Sequence, residues 1–350
     1  MPQTLADYFK QWIPRVESEM LRVIESQPHQ PAPFTTMLAY HLGFANEDGV
    51  RERAHAASGK RIRPLLTLLA CEACGGQAEH ALPAAAAVEL LHNFSLIHDD
   101  IEDRDELRRG RPTLWAIWGD AQAINAGDAM FALAHLAMEE LTDRGVPAER
   151  ALRALRAFDA MCVELTIGQH LDLGFENQVN VSAEDYMQMI EGKTAALVRA
   201  SCALGGIIAG ASEKQIAALG EFGLQIGLSF QLQDDVLGIW GDPSVTGKAD
   251  SDLKHHKKTL PAIYAAERNS LFRSQYFRPQ SSARVRSELM VSEVNFLRGL
   301  IEQTDARPFT EAAAETAYAR AMEAFDDAGL NNAASGMLHD LGHSLLGRSS

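Results

Sequence analysis

Two aspartates four residues apart, Asp99 and Asp103, close an otherwise apolar run in His98-Asp99-Asp100-Ile101-Glu102-Asp103. On a helix that spacing puts both carboxylates on one face. Like charges so placed destabilise a helix by ~0.2–0.5 kcal/mol, and negative charge at a helix C-terminal end opposes the macrodipole. A divalent cation reverses both costs. Carboxylate oxygens suit Mg²⁺, which binds through one or two carboxylates plus substrate phosphates. A solvated acidic helix end is the plain alternative. A second pair follows another apolar run, Phe222 to Phe230, in Gln231-Leu232-Gln233-Asp234-Asp235. Two such clusters, each where an apolar helix turns polar, point to a shared metal site with carboxylates facing one another across a cavity. At about 100° per residue, His92, Ser95, Asp99 and Asp103 also fall on one polar stripe.

The counter-charges cluster as well. Gly59-Lys60-Arg61-Ile62-Arg63-Pro64 sets three basic residues at the start of a helix, with Lys60 and Arg63 expected on one face. Basic residues there act against the dipole, so an anion such as phosphate is the natural occupant. Leu107-Arg108-Arg109-Gly110-Arg111-Pro112-Thr113 follows the first acidic cluster, and Lys193-Thr194, Gly247-Lys248 and Lys257-Lys258 add further positive charge. Each alone reads as solvated lysine or arginine. Together with two carboxylate clusters they describe a site for two diphosphates, one held through Mg²⁺ and one by Lys and Arg directly.

The elements that must position these groups are helical. Alanine and leucine are abundant, and 3.6-residue periodicity dominates. Pro64 fits the first turn of a helix that Gly75-Gly76 ends. Long helices are expected from about Leu82 to Glu106 and from about Ala148 to Leu173. Ser182 with Asp185, and Ser212 with Gln215, form capping-box-like starts, and Thr310 is expected to cap an alanine-rich helix. Gly241 to His256 and Asn269 to Ser282 read as polar loops, and no strand pair is expected. One all-α domain covering residues 1–350 is the preferred organisation, with two helical subdomains as the alternative.

Composition narrows the function classes. The chain has 350 residues and a net charge of −15, which argues against nucleic-acid partners and anionic membranes. No apolar run is long enough to span a bilayer, and Met1 to Lys10 carries no secretory pattern, so a soluble cytoplasmic protein is expected. Cys71 and Cys74 form a CxxC without a second pair; with Cys162 and Cys202 they read as small core residues. No Ser-His-Asp or Cys-His arrangement indicates a protein nucleophile.

In this order the motifs resemble those of the trans-isoprenyl diphosphate synthases, the polyprenyl synthetases, from about Gly59 to near Arg348. The resemblance rests on Gly59-Lys60-Arg61-Ile62-Arg63-Pro64, Glu89-Leu90-Leu91-His92, Asp99 to Asp103, Leu107-Arg108-Arg109-Gly110, Gly168-Gln169 with Asp172, Lys193-Thr194, Gln231 with Asp234-Asp235, and Gly247-Lys248 with Asp252-Leu253 and Lys257. It implies a single bundle of long, mostly antiparallel helices around a central catalytic cavity, normally a homodimer, using three Mg²⁺ per active site. Asp99 and Asp103 would ligate two of them with Asp100 in support, and Asp234, followed by Asp235, the third. Arg108, Lys193, Thr194, Gln231, Lys248 and Lys257 would bind the allylic diphosphate; Lys60, Arg63, His92 and Arg109 would bind isopentenyl diphosphate. The implied reaction ionises the allylic diphosphate, adds isopentenyl diphosphate and loses a proton to the released diphosphate.

Two departures stand out. The second motif of the family reads DDxxD, but here Gly238 replaces the third aspartate, and restoring it is expected to change activity only modestly. His256 precedes Lys257 where the family often has glycine. A class I terpene cyclase would not need Lys60, Arg63 and Arg109, and a non-catalytic subunit would have lost a metal cluster. Phe94 and Ser95, just before the first motif, are implied to set the floor of the product cavity. One aromatic there is expected to give a medium chain, geranylgeranyl diphosphate, with farnesyl and longer products as alternatives.

Overall fold

The structure is a computed structural model that describes residues 4–52, 59–176, 178–241, 251–277 and 291–345, without the side chains at 251 and 291. Nearly all regular structure in it is helical, as the periodicity predicts. The chain divides into two compact units, one of Met1–Phe158, Ser201–Ile216 and Leu330–Asp340, the other of Asp159–Ala200, Ala217–Gly329 and Leu341–Ser350.

In the first unit the centre is the helix Ala78–Asp103, whose residues from Ala81 to Leu91 are all buried. Its run of small alanines lets neighbours approach closely, among them Ile62–Ala73 and Asp120–Glu139. The N-terminal helix Leu5–Glu25 covers it with Tyr8, Trp12, Val16, Met20 and Val23 at helical spacing. A Thr4–Asp7 capping box starts that helix, Asp7 N donating to Thr4 Oγ1 at 3.2 Å. The helix expected over Leu82–Glu106 therefore begins earlier and stops at Asp103. Arg104 takes a left-handed conformation (φ 58°) and its N–H closes on Asp100 O, ending the helix there.

Beyond this helix end lies a strand pair, contrary to the expectation of none. Leu107–Arg108 pairs antiparallel with Arg111–Pro112 around Arg109-Gly110. Both turn residues have positive φ, 52° and 78°, the requirement of the tight hairpin turn that Asn-Gly normally supplies; arginine in the first position hid it.

The second unit packs Phe175, Tyr186, Ile190, Leu232, Ile263, Phe272 and Tyr276 into one core. Ser182 and Asp185 form the expected capping box of Ala183–Ile190. In the first unit, Ser212 and Gln215 pair in the same way at the start of the helix Glu213–Trp240. Three expectations fail in the second unit. Thr310 is not a cap: the helix runs Ala306–Asp327, and buried Thr310 donates to Ala306 O at 2.8 Å. The earlier start places Pro308 in the first turn, where its missing N–H costs nothing. The polar stretch from Asn269 contains a helix, Ser270–Tyr276, capped by the Asn269 side chain and buried through Phe272 and Tyr276. A short helix, Ser251–Lys254, also lies within the expected Gly241–His256 loop. Among the described residues, no helix is long and apolar enough to cross a membrane.

Candidate active site

At the end of Ala78–Asp103 the aspartates part company. Asp99 and Asp103 are half-buried on one face, whereas Asp100 points inward and is 2% exposed. Arg108, brought back by the hairpin, donates through Nε to Asp100 Oδ1 at 2.6 Å. Burial still pushes the Asp100 carboxyl up to about 6 against the pull of Arg108, and its second oxygen is buried without a hydrogen-bond partner. Asp100 thus anchors Arg108 beside the two half-buried carboxylates.

The basic segment at residue 60 is arranged differently from the expectation. Arg61 is a left-handed residue (φ 49°) preceding the helix Ile62–Ala73, so Lys60 lies outside the helix and does not share a helical face with Arg63. The Arg61 guanidinium turns into the core. It pairs with Glu89 at 2.7 Å and Glu17 at 3.5 Å, and donates to Leu42 O at 2.8 Å. A buried charge needs such ion pairs to be tolerated. The result is a fixed pivot between exposed Lys60 and half-buried Arg63. Arg63 Nη1 donates to His92 Nε2 at 3.3 Å. Burial, then the positive charge of Arg63, holds His92 well below its ordinary range, so the ring is neutral and accepts. Arg109 lies over Gly59: a Cβ there would come 2.9 Å from Arg109 Nη2. Lys60, Arg63, His92 and Arg109 all belong to the first unit.

Phe94 meets His98 at 4.8 Å between centroids and Phe131, on Asp120–Glu139, at 5.1 Å. His135 and Phe158 continue the row at 4.5 and 5.2 Å. The Ser95 hydroxyl donates to His92 O at 2.9 Å.

In the second unit, Lys193 and Thr194 sit on a π-helical turn, Glu191–Ala195, between Ala183–Ile190 and Ala196–Ala209. Such single turns of π-helix recur at functional sites. Its seat is made of glycine. A Cβ on Gly168 would fall 2.1 Å from Lys193 N, and one on Gly192 would fall 2.8 Å from Glu164 O. One turn beyond Gly168, Asp172 takes the Lys193 ammonium at 2.5 Å. The helix Glu213–Trp240 uses the same device. A Cβ at Gly227 would lie 2.7 Å from Ala195 Cα, and Gln231 and Asp235 follow on the same face at successive four-residue steps. Thr194 Oγ1 donates to Gln231 Oε1 at 2.9 Å, and Gln231 Nε2 donates to Asp235 Oδ1 at 3.1 Å.

Asp235 is 1% exposed and also accepts from Tyr186 OH and from Leu260 N at 3.2 Å. Burial raises its carboxyl to about 7. It holds Gln231 in place, while Asp234 beside it is half-buried. Lys257 is exposed; Lys258 is buried over the Phe277 ring at 4.0 Å, and burial lowers its ammonium to about 8. Lys248 lies outside the described residues. Gly238 is not open space: a Cβ there would fall 2.1 Å from Asp252 Oδ2. Restoring aspartate would require the Asp252 side chain to swing aside.

Sequence reading missed Arg61, Glu17, Tyr186 and the π turn. Arg61 lay within a quoted motif, and its inward turn had no sequence mark. Nothing in the pattern around Tyr186 distinguishes it from a core tyrosine.

The carboxylates fit Mg²⁺ as a shared ion. Among the described residues, no group of three or more His, Cys, Asp or Glu side chains forms a cage for a metal. Asp99 with Asp103 offers only hard oxygens, the donor set of an ion that completes its shell with water and phosphate.

Residues 50–290 match the polyprenyl synthetase family profile. The geranylgeranyl diphosphate synthase of Mycobacterium tuberculosis is 48% identical over 250 residues, 71% of this chain and 69% of that protein. The (2E,6E)-farnesyl diphosphate synthase of Mycobacterium bovis is 49% identical over 229 residues, 65% of this chain and 62% of that protein. Among solved structures, a polyprenyl synthetase from Streptomyces coelicolor A3(2) matches with a TM-score of 0.86 at 33% identity, covering 95% of this chain and 97% of that one.

Proposed function

Because this chain belongs to the polyprenyl synthetase family of prenyltransferases, we propose that it condenses isopentenyl diphosphate with an allylic diphosphate to give geranylgeranyl diphosphate. The observation that carries this reading is the division of labour at one helix end: Asp99 and Asp103 share a half-buried face while Asp100 turns inward to fix Arg108. The relatives named for geranylgeranyl and farnesyl products support the same reaction class.

Asp99, Asp103 and Asp234 would hold Mg²⁺, three ions in all. Mg²⁺ held by these carboxylates would supply positive charge toward the leaving diphosphate. Arg108, Lys193, Lys248 and Lys257 bind the departing diphosphate, which leaves with the bonding electron pair. The Thr194 and Gln231 oxygens, oriented through Asp235 and Tyr186, face the allylic cation. Lys60, Arg63, Arg109 and neutral His92 orient isopentenyl diphosphate so that its double bond forms the new C–C bond. The released diphosphate takes the proton that restores the alkene. No protein nucleophile enters this scheme. Residues 1–350 act as one synthase domain. A homodimer in the cytoplasm completes the proposal, supported by Ile124, Leu136 and Leu152 being 45%, 38% and 49% exposed.

The test is incubation with labelled isopentenyl diphosphate and each allylic primer in Mg²⁺, followed by chromatography. A geranylgeranyl product, lost in Asp99→Ala and in excess chelator, is expected. No condensation with any primer refutes the reaction; undiminished turnover in chelator refutes the metal assignment.

A further inference from the structure

Each basic segment of the candidate site carries one arginine committed to backbone carbonyls, and both of these arginines dock at the end of the same helix. That helix, Ala32–His41, precedes residues 50–290, which match the family profile. The last carbonyls of a helix lack intrahelical partners and form the negative end of its dipole. Arg61, from Gly59-Lys60-Arg61-Ile62-Arg63, donates through Nη2 to Leu42 O at 2.8 Å. Arg111, from the hairpin, donates to Ala45 O at 2.8 Å and to Tyr40 O at 3.5 Å, and its guanidinium lies 4.1 Å from the centroid of the Tyr40 ring. The Tyr40 hydroxyl donates to Pro112 O at 2.8 Å. The second strand of the hairpin, Arg111–Pro112, is thus held at both of its residues. His41 registers the crowding at this helix end: burial, then the positive charge of Arg108, Arg109, Arg61 and Arg111, lowers its imidazole to about 3.

We propose that the end of the helix Ala32–His41 gauges the spacing between the two basic segments, and that Arg111 is a positioning residue for Arg109. The inference rests on Lys60, Arg63 and Arg109 binding isopentenyl diphosphate, as in the proposed function. That set draws on both segments, so the diphosphate is gripped only while their separation holds. Arg108 is fixed independently, by Asp100 at 2.6 Å. Releasing Arg111 therefore frees the turn residue Arg109 while Arg108 stays seated. Charge alone does not do this. Lysine keeps the charge but presents a single ammonium, which cannot bracket two carbonyls and stack on a ring as a planar guanidinium does.

The test is steady-state kinetics in Mg²⁺ with the allylic primer that the parent uses best. Arg111→Met should raise the KM for isopentenyl diphosphate about tenfold, the scale of losing one charge-assisted hydrogen bond, with kcat and the allylic KM within about threefold of the parent. Arg111→Lys should raise it nearly as much. Tyr40→Phe, which loses only the hydroxyl on Pro112, should raise it about threefold and carries the test if Arg111→Met does not fold. A parental KM in Arg111→Lys overturns the proposal, because charge would then suffice. So does a folded Arg111→Met or Tyr40→Phe enzyme in which only kcat or the melting temperature falls, or in which both KM values rise alike. Arg63→Ala and Arg109→Ala probe the underlying reading. If neither raises the KM for isopentenyl diphosphate, that site assignment falls and this inference with it; if both raise it and the Arg111 variants do not, the inference alone falls.

Discussion

Replacing Gly168 by alanine adds one methyl group where the helix backbone crosses the π turn most tightly. The new Cβ would sit 2.1 Å from Lys193 N, 2.6 Å from Gly192 C and 2.8 Å from Lys193 Cα. Ordinary contact is about 3.5 Å, so the helix and the π turn must separate by roughly 1.4 Å along that line. All three opposing atoms are backbone, and no side chain can swing aside. Overpacking of this kind costs about 1–3 kcal/mol, and the top of that range applies. Alanine recovers about 1 kcal/mol of helix propensity, leaving a net loss of about 2 kcal/mol. The separation also carries Lys193 and Thr194 away from Asp172 and Gln231. A displacement near 1 Å in a positioned group can cost about a hundredfold in rate. Steady-state assays with saturating substrates should show kcat down about a hundredfold with little change in the KM for isopentenyl diphosphate, and the variant should melt lower. Gly299→Ala is the control: it lies in Val291–Ile301 with nothing within 4 Å of its Cβ position, so it should stabilise by about 0.5–1 kcal/mol. A Gly168→Ala enzyme with parental kcat and melting temperature would refute the argument.

Phe94→Ala should lengthen the product by one isoprene unit and no more, because Phe131 stands behind it at 5.1 Å; Phe94→Ala with Phe131→Ala should lengthen it further, and chromatography showing unchanged products would place the floor elsewhere. Arg63→Ala should weaken isopentenyl diphosphate by about 1.5–3 kcal/mol, the loss of one charge-assisted bond, with allylic binding affected less; equal effects in titrations of the two substrates would reverse the assignment. Lys258 gives a pH signature: its proton leaves near pH 8 when folded against about 10.5 when unfolded, so the unfolded chain binds more protons between those values. Stability contributed by this group therefore rises with pH across that window, by at most about 3 kcal/mol. Denaturation of Lys258→Met at pH 7.5 and pH 10.5 should show that rise removed, and an identical slope in parent and variant would refute it.

Helical periodicity carried the fold, because burial of one face is written directly into residue spacing. Capping at Ser182 and Ser212 was readable for the same reason: the Ser hydroxyl and its partner lie within one turn. The failures have another origin. Arg109-Gly110 turns as Asn-Gly would, but its conformation is imposed by Arg108 docking on Asp100 and Tyr40 OH donating to Pro112 O, contacts distant in sequence. Thr310 resembled a cap because threonine favours caps, while Pro308 had already fixed an earlier start. The motif residues were found by type and order. Their division into half-buried Asp99, Asp103 and Asp234 and inward-turned Asp100 and Asp235 depends on which side of each helix meets the core, and on Tyr186, which no local pattern marks. The conflict between position 238 and Asp252 joins residues fourteen positions apart and needed coordinates.

The π turn Glu191–Ala195 has a consequence for how this chain tolerates insertions and deletions. A π turn holds one residue more than the α turn it interrupts. Deleting any one residue within it would restore a continuous α-helix from Ala183 to Ala209 with a regular hydrogen-bond ladder, so such a chain should still fold. The five residues of the π turn subtend about the same angle as four of an α turn, so the flanking helices would keep their phase and Tyr186 would stay on Asp235. Only the residues inside the turn would shift, and the hydroxyl and ammonium of residues 194 and 193 would no longer address Gln231 and Asp172 together. The extra residue therefore behaves as a local spacer: its loss is cheap to the helix and leaves the side chains on either side in place, yet it withdraws the two that the turn presents.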